Sequence, residues 1–544
     1  MFAWDRIVEQ TWIRMTTSQK DNSTRTEGPS HVVADQSEIL DWLAAPETYG
    51  NGIQQVERID THGAIVFLAG ERAYKVKRAV KYPYMDFSTL DRRQAACERE
   101  IALNRRTAPD LYLVAESIVR ARDGTLQFGG PGETVEWLVL MRRFDQDGLC
   151  DRLAQRGLLT LALARALAQE VASLHDAAEV LSGSAAKGGG AAGIRAVIDD
   201  NAAEFAERPD LFPGANELAT STAHALDTVA ARLDARLAEG LVRRCHGDLH
   251  LRNICVIDGH PTIFDCIEFN DAIACIDVFY DLAFLLMDLE HRELRALGNL
   301  VLNRYLQLRD DIGGLATLPL FLSVRAAVRA KVSVSMADSQ ADKKAKDQLH
   351  AEARAYMAEA RQYLTPAPPR LVAIGGLSGT GKTTLAHELA PRIDPSPGAL
   401  HLRSDVLRKR LAGVDELTRL PPDSYTAETS AQVYTTLIER ARTALKAGHG
   451  VIVDAVYAKP RERSAIENVA RACHVPFTGG WLGAPEATLI ERVTQRRGDA
   501  SDATAPVVRA QQNYDLGAIA WTRIDASASL DDMVAQAGRR IGVA

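Results

Sequence analysis

Leu371-Val-Ala-Ile-Gly375-Gly376-Leu-Ser378-Gly379-Thr380-Gly381-Lys382-Thr383-Thr384 decides how the C-terminal third of this chain folds. Leu371–Gly375 is an apolar run of strand length, and the residues after it satisfy G-x-x-x-x-G-K-[ST] in full at a strand-to-helix junction. The chemistry demands these residue types. Gly376, Gly379 and Gly381 let the backbone N–H groups around Ser378, Thr380 and Thr384 turn inward on phosphate oxygens. The helix beyond adds its positive N-terminal end. Lys382 brings a point charge to the β- and γ-phosphates, and the Thr383 hydroxyl is suited to ligate Mg²⁺.

Further elements fit the same domain. Apolar strands alternate with helical patterns after residue 371, which predicts a parallel α/β sheet. Val451-Ile-Val-Asp454 is an apolar strand ending in a carboxylate suited to hold Mg²⁺ through water; the bland alternative is a turn cap. Asp405 follows the strand-like Leu400–Leu402, where it can accept the proton of an attacking hydroxyl, with Arg408 one helical turn on. The alternative there is a helix cap and a solvated arginine. Arg492, Arg496 and Arg497 fall on or near one helix face at i, i+4 spacing, able to close over a transferring phosphoryl group or to form a solvated basic face. With these residues quoted, the segment from 370 to 544 resembles the small P-loop kinases of the gluconate kinase, shikimate kinase, polynucleotide kinase and zeta-toxin type.

Upstream, Leu364-Thr-Pro-Ala-Pro-Pro-Arg370 cannot continue a helix and reads as a linker. Before it lies a second constellation. His246-Gly247-Asp248-Leu-His250-Leu-Arg-Asn253 has the form H-x-D-L-x-x-x-N, and precedes a hairpin, Ile254–Phe264, turned at Asp258-Gly259 and ending in Asp265. In phosphoryl transfer, Asp248 orients the substrate hydroxyl and accepts its proton, while Asn253 and Asp265 hold Mg²⁺. The strand Ala73–Lys77 carries Lys75 and Lys77 on one face, and the helical stretch Leu90–Arg106 carries Glu98 and Glu100. Lys75 with Glu100 is the favoured nucleotide-binding pair; Lys77 and Glu98 remain open. Only Gly63 is available for a phosphate-covering loop near Asp60-Thr-His-Gly63, and Glu268 either faces substrate or anchors a turn.

This segment, about residues 55–335, resembles the aminoglycoside phosphotransferase-like branch of the protein-kinase fold, with Asp277-Val-Phe-Tyr-Asp281 continuing the match. The resemblance implies a two-lobed ATP-dependent kinase acting on a small-molecule hydroxyl. The two halves together resemble bacterial two-domain proteins described by their domains. The expected fold is therefore α/β and α+β: a bilobal kinase-like domain followed by a P-loop domain with a parallel sheet. The expected boundaries are 1–35 poorly structured, 36–363 kinase-like, 364–370 linker and 371–544 P-loop kinase, and Gly183–Gly193 is expected to be a loop.

Composition narrows the function classes. The 544 residues carry 64 basic and 71 acidic side chains, net −7, which disfavours a nucleic-acid partner. No stretch approaches a membrane span; Leu282–Met287 and Leu318–Val324 read as short buried elements. Seven cysteines without a C-x-x-C pair, and an N-terminus without an apolar signal, fit the cytoplasm. Cys245, Cys255, Cys266 and Cys275 have the wrong spacing for zinc and read as small buried hydrophobes. The leading expectation is an ATP- and Mg²⁺-dependent phosphotransferase for a sugar-like or aminoglycoside-like hydroxyl. The alternatives are a nucleic-acid-end or nucleotide kinase in the C-terminal half, or a ligand-sensing kinase-like half controlling a P-loop ATPase switch.

Overall fold

The computed structural model describes residues 31–542 apart from residues 51, 83 and 339. Residues 1–30, most of the segment expected to be poorly structured, lie outside the described residues. Within 31–35, Val32 bridges to Val80, and the Val33 N–H donates to the Ala79 carbonyl at 2.9 Å. The chain packs as two compact units that do not follow chain order. The first reaches to Asp288 and resumes over Val324–Ala360; the second joins Leu289–Ser323 to Arg361–Ala544.

The first unit opens with an antiparallel sheet. Its strands are β1 (Val56–Asp60), β2 (Ala64–Ala69), β3 (Arg72–Lys77), β6 (Tyr112–Arg120), β7 (Leu126–Phe128) and β8 (Glu133–Arg142), in the order β1-β2-β3-β8-β6-β7. A small hairpin, β4 (Lys81–Tyr82) and β5 (Met85–Asp86), follows β3. Period-2 alternation gives the sheet two apolar faces. Ile65, Phe67, Val76 and Leu138 pack on Ile39 and Leu43 of the helix Ser37–Ala44. Val139, Trp137 and Met141 face Cys97 and Ile101 of the helix Leu90–Asn104. The sheet thus has a buried helix where Glu100 is needed.

The helical lobe of this unit carries β9 (Val242–Arg244) paired with β12 (Cys275–Asp277), and the hairpin of β10 (Ile254–Ile257) and β11 (His260–Ile263). Asp258 and Gly259 both have positive φ, 51° and 82°, the conformation a two-residue hairpin loop needs. The Gly183–Gly193 run is not all loop, because a helix starts at Gly190 and runs to Glu207. Its glycines serve close packing: a Cβ on Gly193 would lie 2.3 Å from the Gly188 carbonyl carbon. The apolar run at Leu318 also extends further than its sequence suggests. It becomes the helix Leu318–Asp338, and the helical segment Ile312–Asp338 that contains it is long and apolar enough to span a membrane, yet 78% of its most apolar window is buried inside the protein.

The second unit is built on a five-stranded parallel sheet. β13 (Leu371–Gly376) lies between β15 (Val451–Asp454) and β16 (Phe477–Gly483), with β14 (Leu400–Arg403) and β17 (Thr522–Asp525) at the edges. β13 and β15 are fully buried, as a central parallel strand must be. The helix Lys382–Leu389 contributes Leu385, Ala386 and Leu389 to the same core as Val372, Ile374 and Ile452. No helix or strand forms between Leu364 and Arg370.

Candidate active sites

In the first unit, β3 sends both lysines toward Glu100, which is fully buried, and their second partners tell them apart. Lys75 Nζ lies 2.8 Å from Glu100 Oε1 and 2.6 Å from Asp265 Oδ1. Lys77 Nζ pairs with the other Glu100 oxygen and with Glu268, both buried. Lys75 therefore connects the helix to Asp265, while Lys77 forms the floor beneath. Glu98 points elsewhere, accepting from Gln94 Nε2 at 2.9 Å in an exposed position. Burial alone would discharge Lys75, but Asp265 and Glu100 hold its pKa well above the ordinary lysine value.

Asp265 sits at φ 64°, a strained position for a non-glycine residue, and its neighbours enforce it. Its N–H donates to the Tyr112 hydroxyl at 3.1 Å, and the Cys266 N–H donates to Asn104 Oδ1 at 2.8 Å. Asn253 Nδ2 donates to both the carbonyl and the carboxylate of Asp248, each at 2.9 Å. The Asp248 side chain is 36% exposed and that of Asp265 41%, so both open to solvent where Glu100 does not. Burial works to raise the Asp248 pKa, but His250, 3.2 Å away, and Arg329 hold it well below the usual carboxylate range. An always-ionised carboxylate suits orienting a hydroxyl more than holding its proton.

Several residues that hold this loop had no stated role in the sequence reading. Asp281 accepts from the backbone N–H groups of His246 at 3.0 Å and Gly247 at 2.9 Å, and from His175 Nε2 at 3.1 Å. Burial opposes its charge, yet the His175 hydrogen bond brings its pKa down to about 2. Arg325 donates to the Gly247 carbonyl at 3.2 Å and lies 3.8 Å from the Tyr280 ring centroid. No local spacing marks His175 or Arg325. The single-glycine turn between β1 and β2 is pinned as well: Arg78 Nε donates to the Thr61 carbonyl at 2.9 Å, and His62 Nε2 lies 2.6 Å from the Tyr84 hydroxyl. A cavity of about 700 Å³ opens at the end of β8, lined by residues including Arg72, Arg143, Phe144 and Asp147 and not by Asp248.

In the second unit the loop from Gly376 to Thr383 connects β13 to its helix as expected. Gly376, Gly379 and Gly381 have φ of 145°, 87° and 82°. A Cβ on Gly379 would meet the Leu489 carbonyl at 2.7 Å, so the cradle admits only glycine there. Lys382 Nζ donates to the Leu377 carbonyl at 3.0 Å, and Thr380 Oγ1 to the same oxygen at 2.8 Å. Gln511 Oε1 accepts from the Ser378 N–H at 2.8 Å, a contact sequence reasoning missed. Thr383 donates its hydroxyl to Asp454 Oδ2, and His401 Nε2 lies 3.0 Å from Asp454 Oδ1. Burial lowers the pKa of Lys382. It raises that of Asp405, whose carboxylate feels Lys382 and Asp454 and bonds to the Ser501 side chain.

The predicted arginines divide. Arg408 points toward residues 424–430, donating to the Ser424 carbonyl at 3.1 Å and Ser430 Oγ at 3.2 Å. Arg492 is helical and Arg496 caps its helix, the Arg496 N–H donating to the Arg492 carbonyl at 3.2 Å; the helix ends at Gln495, so only Arg497 falls outside the helical spacing. Backbone at Arg496 turns extended, φ −57° and ψ 136°, and begins the segment toward Thr504. That segment is tied down by two contacts: Arg403 Nη2 reaches Asp499 at 3.3 Å, and Tyr425 donates its hydroxyl to Asp502 at 2.5 Å. Arg496 also depresses the Lys382 pKa, behind the larger effect of burial. Six of the seven cysteines are buried; His175, Cys245 and Asp281 cluster, but Asp281 is already occupied by the loop backbone.

Residues 87–317 match the phosphotransferase enzyme family, and residues 371–514 match an AAA domain family. Uncharacterized proteins of Mycobacterium bovis and Mycobacterium tuberculosis are 31% identical over 490 residues, covering 88% of this chain and 94% of theirs. Among solved structures, a choline/ethanolamine kinase family protein from Mesorhizobium loti aligns with 60% of this chain and 97% of its own, at 16% identity and TM-score 0.36. A gluconokinase from Sinorhizobium meliloti aligns with 32% of this chain and 91% of its own, at 19% identity and TM-score 0.24. The chain is a kinase, and it belongs to the family of bacterial two-domain proteins in which a phosphotransferase-family domain precedes a P-loop kinase domain.

Proposed function

We propose that both units transfer phosphate from ATP, with Mg²⁺, to a hydroxyl of a small, sugar-like or aminoglycoside-like molecule. The observation that carries this reading is the assembly of a full phosphoryl-transfer set within each unit: Lys75, Glu100, Asp248, Asn253 and Asp265 in one, and Lys382, Thr383, Asp405 and Asp454 in the other. The oxygen donors Asn253 with Asp265, and Thr383 with Asp454, suit a hard divalent cation. Magnesium bound there would neutralise phosphate charge during transfer. Lys75 and Lys382 hold phosphate oxygens, and the glycine loop aims backbone N–H groups at them.

The acceptor sides work differently. Asp248 is strongly ionised and orients a hydroxyl. Asp405, whose pKa burial raises, is the better base for the hydroxyl proton. Seven cysteines without a C-x-x-C pair favour the reducing cytoplasm as the working compartment, and the net acidity favours a small-molecule acceptor over nucleic acid.

The test is ADP release with ATP and Mg²⁺ against sugars, sugar acids, aminoglycosides and 5′-hydroxyl oligonucleotides. Lys382→Ala is expected to lose the P-loop share by ~10²-fold or more, and Asp248→Asn to lose the other share while keeping ATP binding. Acceptor-dependent ADP release that survives both substitutions together would overturn the assignment. ADP release independent of every acceptor, and lost only in Lys382→Ala, would instead favour an ATP-driven switch.

A further inference from the structure

β14 is an edge strand. It pairs with β15 on one side, where the Leu400 N–H donates to the Gly450 carbonyl at 2.9 Å. Its outward backbone groups, the Ala399 carbonyl and the His401 N–H, need other partners. They find them on the helix Arg295–Arg309, which precedes the linker in the chain yet belongs to the P-loop unit. Asn299 Nδ2 and Asn303 Nδ2 donate to the Ala399 carbonyl at 3.0 and 3.1 Å, and Asn303 Oδ1 accepts the His401 N–H at 2.6 Å. Both asparagines are buried, at 2% and 7% exposure. They stand one helical turn apart, and Asn303 Nδ2 also bonds Asn299 Oδ1 at 3.1 Å. Two side-chain amides thus imitate a neighbouring strand.

The residue so fixed is the one whose ring reaches Asp454. His401 is itself buried, and its Nε2 takes Asp454 Oδ1 at 3.0 Å while Thr383 takes Oδ2. Each carboxylate oxygen therefore has one partner, and the carboxylate plane is set by both. A Thr383 hydroxyl whose lone pair would ligate a cation donates its hydrogen bond elsewhere, and Asp454 Oδ2 is in place to accept it. We propose that His401, anchored by Asn303 and Asn299, is a positioning residue for Asp454, so that the Mg²⁺-binding end of the P-loop site is completed by a helix from before the linker. The proposal rests on the reading of Gly376–Thr383 with Asp454 as an Mg²⁺-nucleotide site.

The test uses the full chain and a fluorescent mant-ATP titration, with and without Mg²⁺. The P-loop share is the binding lost in Lys382→Ala. His401→Leu should leave that share's Mg²⁺-free affinity within about twofold, because the glycine cradle is untouched, while the Mg²⁺ concentration for half-maximal tightening rises about tenfold. His401→Gln keeps an N–H donor of similar reach and should restore most of the Mg²⁺ response; His401→Asn, too short, should not. If His401→Leu fails to fold, the Gln and Asn variants decide by the same comparison. A Mg²⁺ response unchanged in His401→Leu, or equal in Gln and Asn, would overturn the positioning role. A wild-type chain without Lys382-dependent nucleotide binding would instead overturn the underlying site and the proposal with it. Asp454→Asn separates the two failures, since it should blunt the Mg²⁺ response whatever His401 does.

Discussion

Two lysines two residues apart on one strand face have separate tasks here. Lys75 keeps 13% of its side chain exposed beside the open Asp265 carboxylate, whereas Lys77 keeps 3% and faces Glu100 and Glu268. Glu268 is thus a buried ion-pair partner, and its pKa is raised by that burial against the pull of Lys77. Removing one member of such a group strands the others' charge. Lys77→Met should cost about 3–5 kcal/mol of unfolding free energy, and adding Glu268→Gln should recover part of it. Urea midpoints of the single and double variants check this, and a Lys77→Met midpoint equal to wild type would show the buried cation to be dispensable. Asp248 and Asp405 show the same sensitivity to surroundings, since one chemical group is pushed down by His250 and the other up by burial.

At the scale of elements, connections set where strands begin. His449 lies between Gly448 and Gly450 at the entrance to β15, fully inside, with Nε2 2.9 Å from the Gly398 carbonyl before β14. Burial pushes its pKa from 6.5 down to about 4. The folded state therefore binds fewer protons than the unfolded chain between these values. Its stabilising contribution is complete above pH 6.5 and is lost as pH falls toward 4. Between pH 7 and pH 5 the loss should be about 2 kcal/mol. His449→Gln retains a donor for Gly398 without a titrating ring, so its urea midpoint should fall less over that interval; equal slopes would refute the assignment. The Gly190–Glu207 helix carries a different lesson. Its Gly-rich start resembles a loop in composition because composition does not register how closely Gly188 approaches Gly193.

Across the whole molecule, chain order and packing part company. Leu289–Ser323 belongs with the P-loop sheet through the Asn299 and Asn303 bonds and through ion pairs: Arg295–Asp394 at 2.7 Å, Arg410–Asp310 at 3.1 Å and Arg440–Asp310 at 2.7 Å. A protein cut within the 364–370 linker should keep its two pieces together on size exclusion. Residues 364–544 produced alone should unfold at lower urea, because the β14 edge loses its partners, at ~1 kcal/mol for each hydrogen bond. A fragment as stable as the P-loop unit of the intact chain would contradict this partition.

By itself the sequence determined that the chain carries a glycine cradle with Lys382 and Thr383, an H-x-D-L-x-x-x-N loop with Asp265 behind a hairpin, and a parallel α/β sheet after a proline-rich break. These readings succeed because their chemistry is local: a cradle, a turn or a strand end is specified by residues within about ten positions. Tertiary structure alone decided the rest. Lys75 and Asp265 meet across 190 positions, Asn303 and His401 across 98, and His401 and Asp454 across 53. At such separations no spacing rule applies; which side chains meet is set by strand order, by which helix covers an edge and by how closely buried charges are neutralised. Arg497 marks the same limit from the other side, because helical spacing aligns residues only while the helix continues.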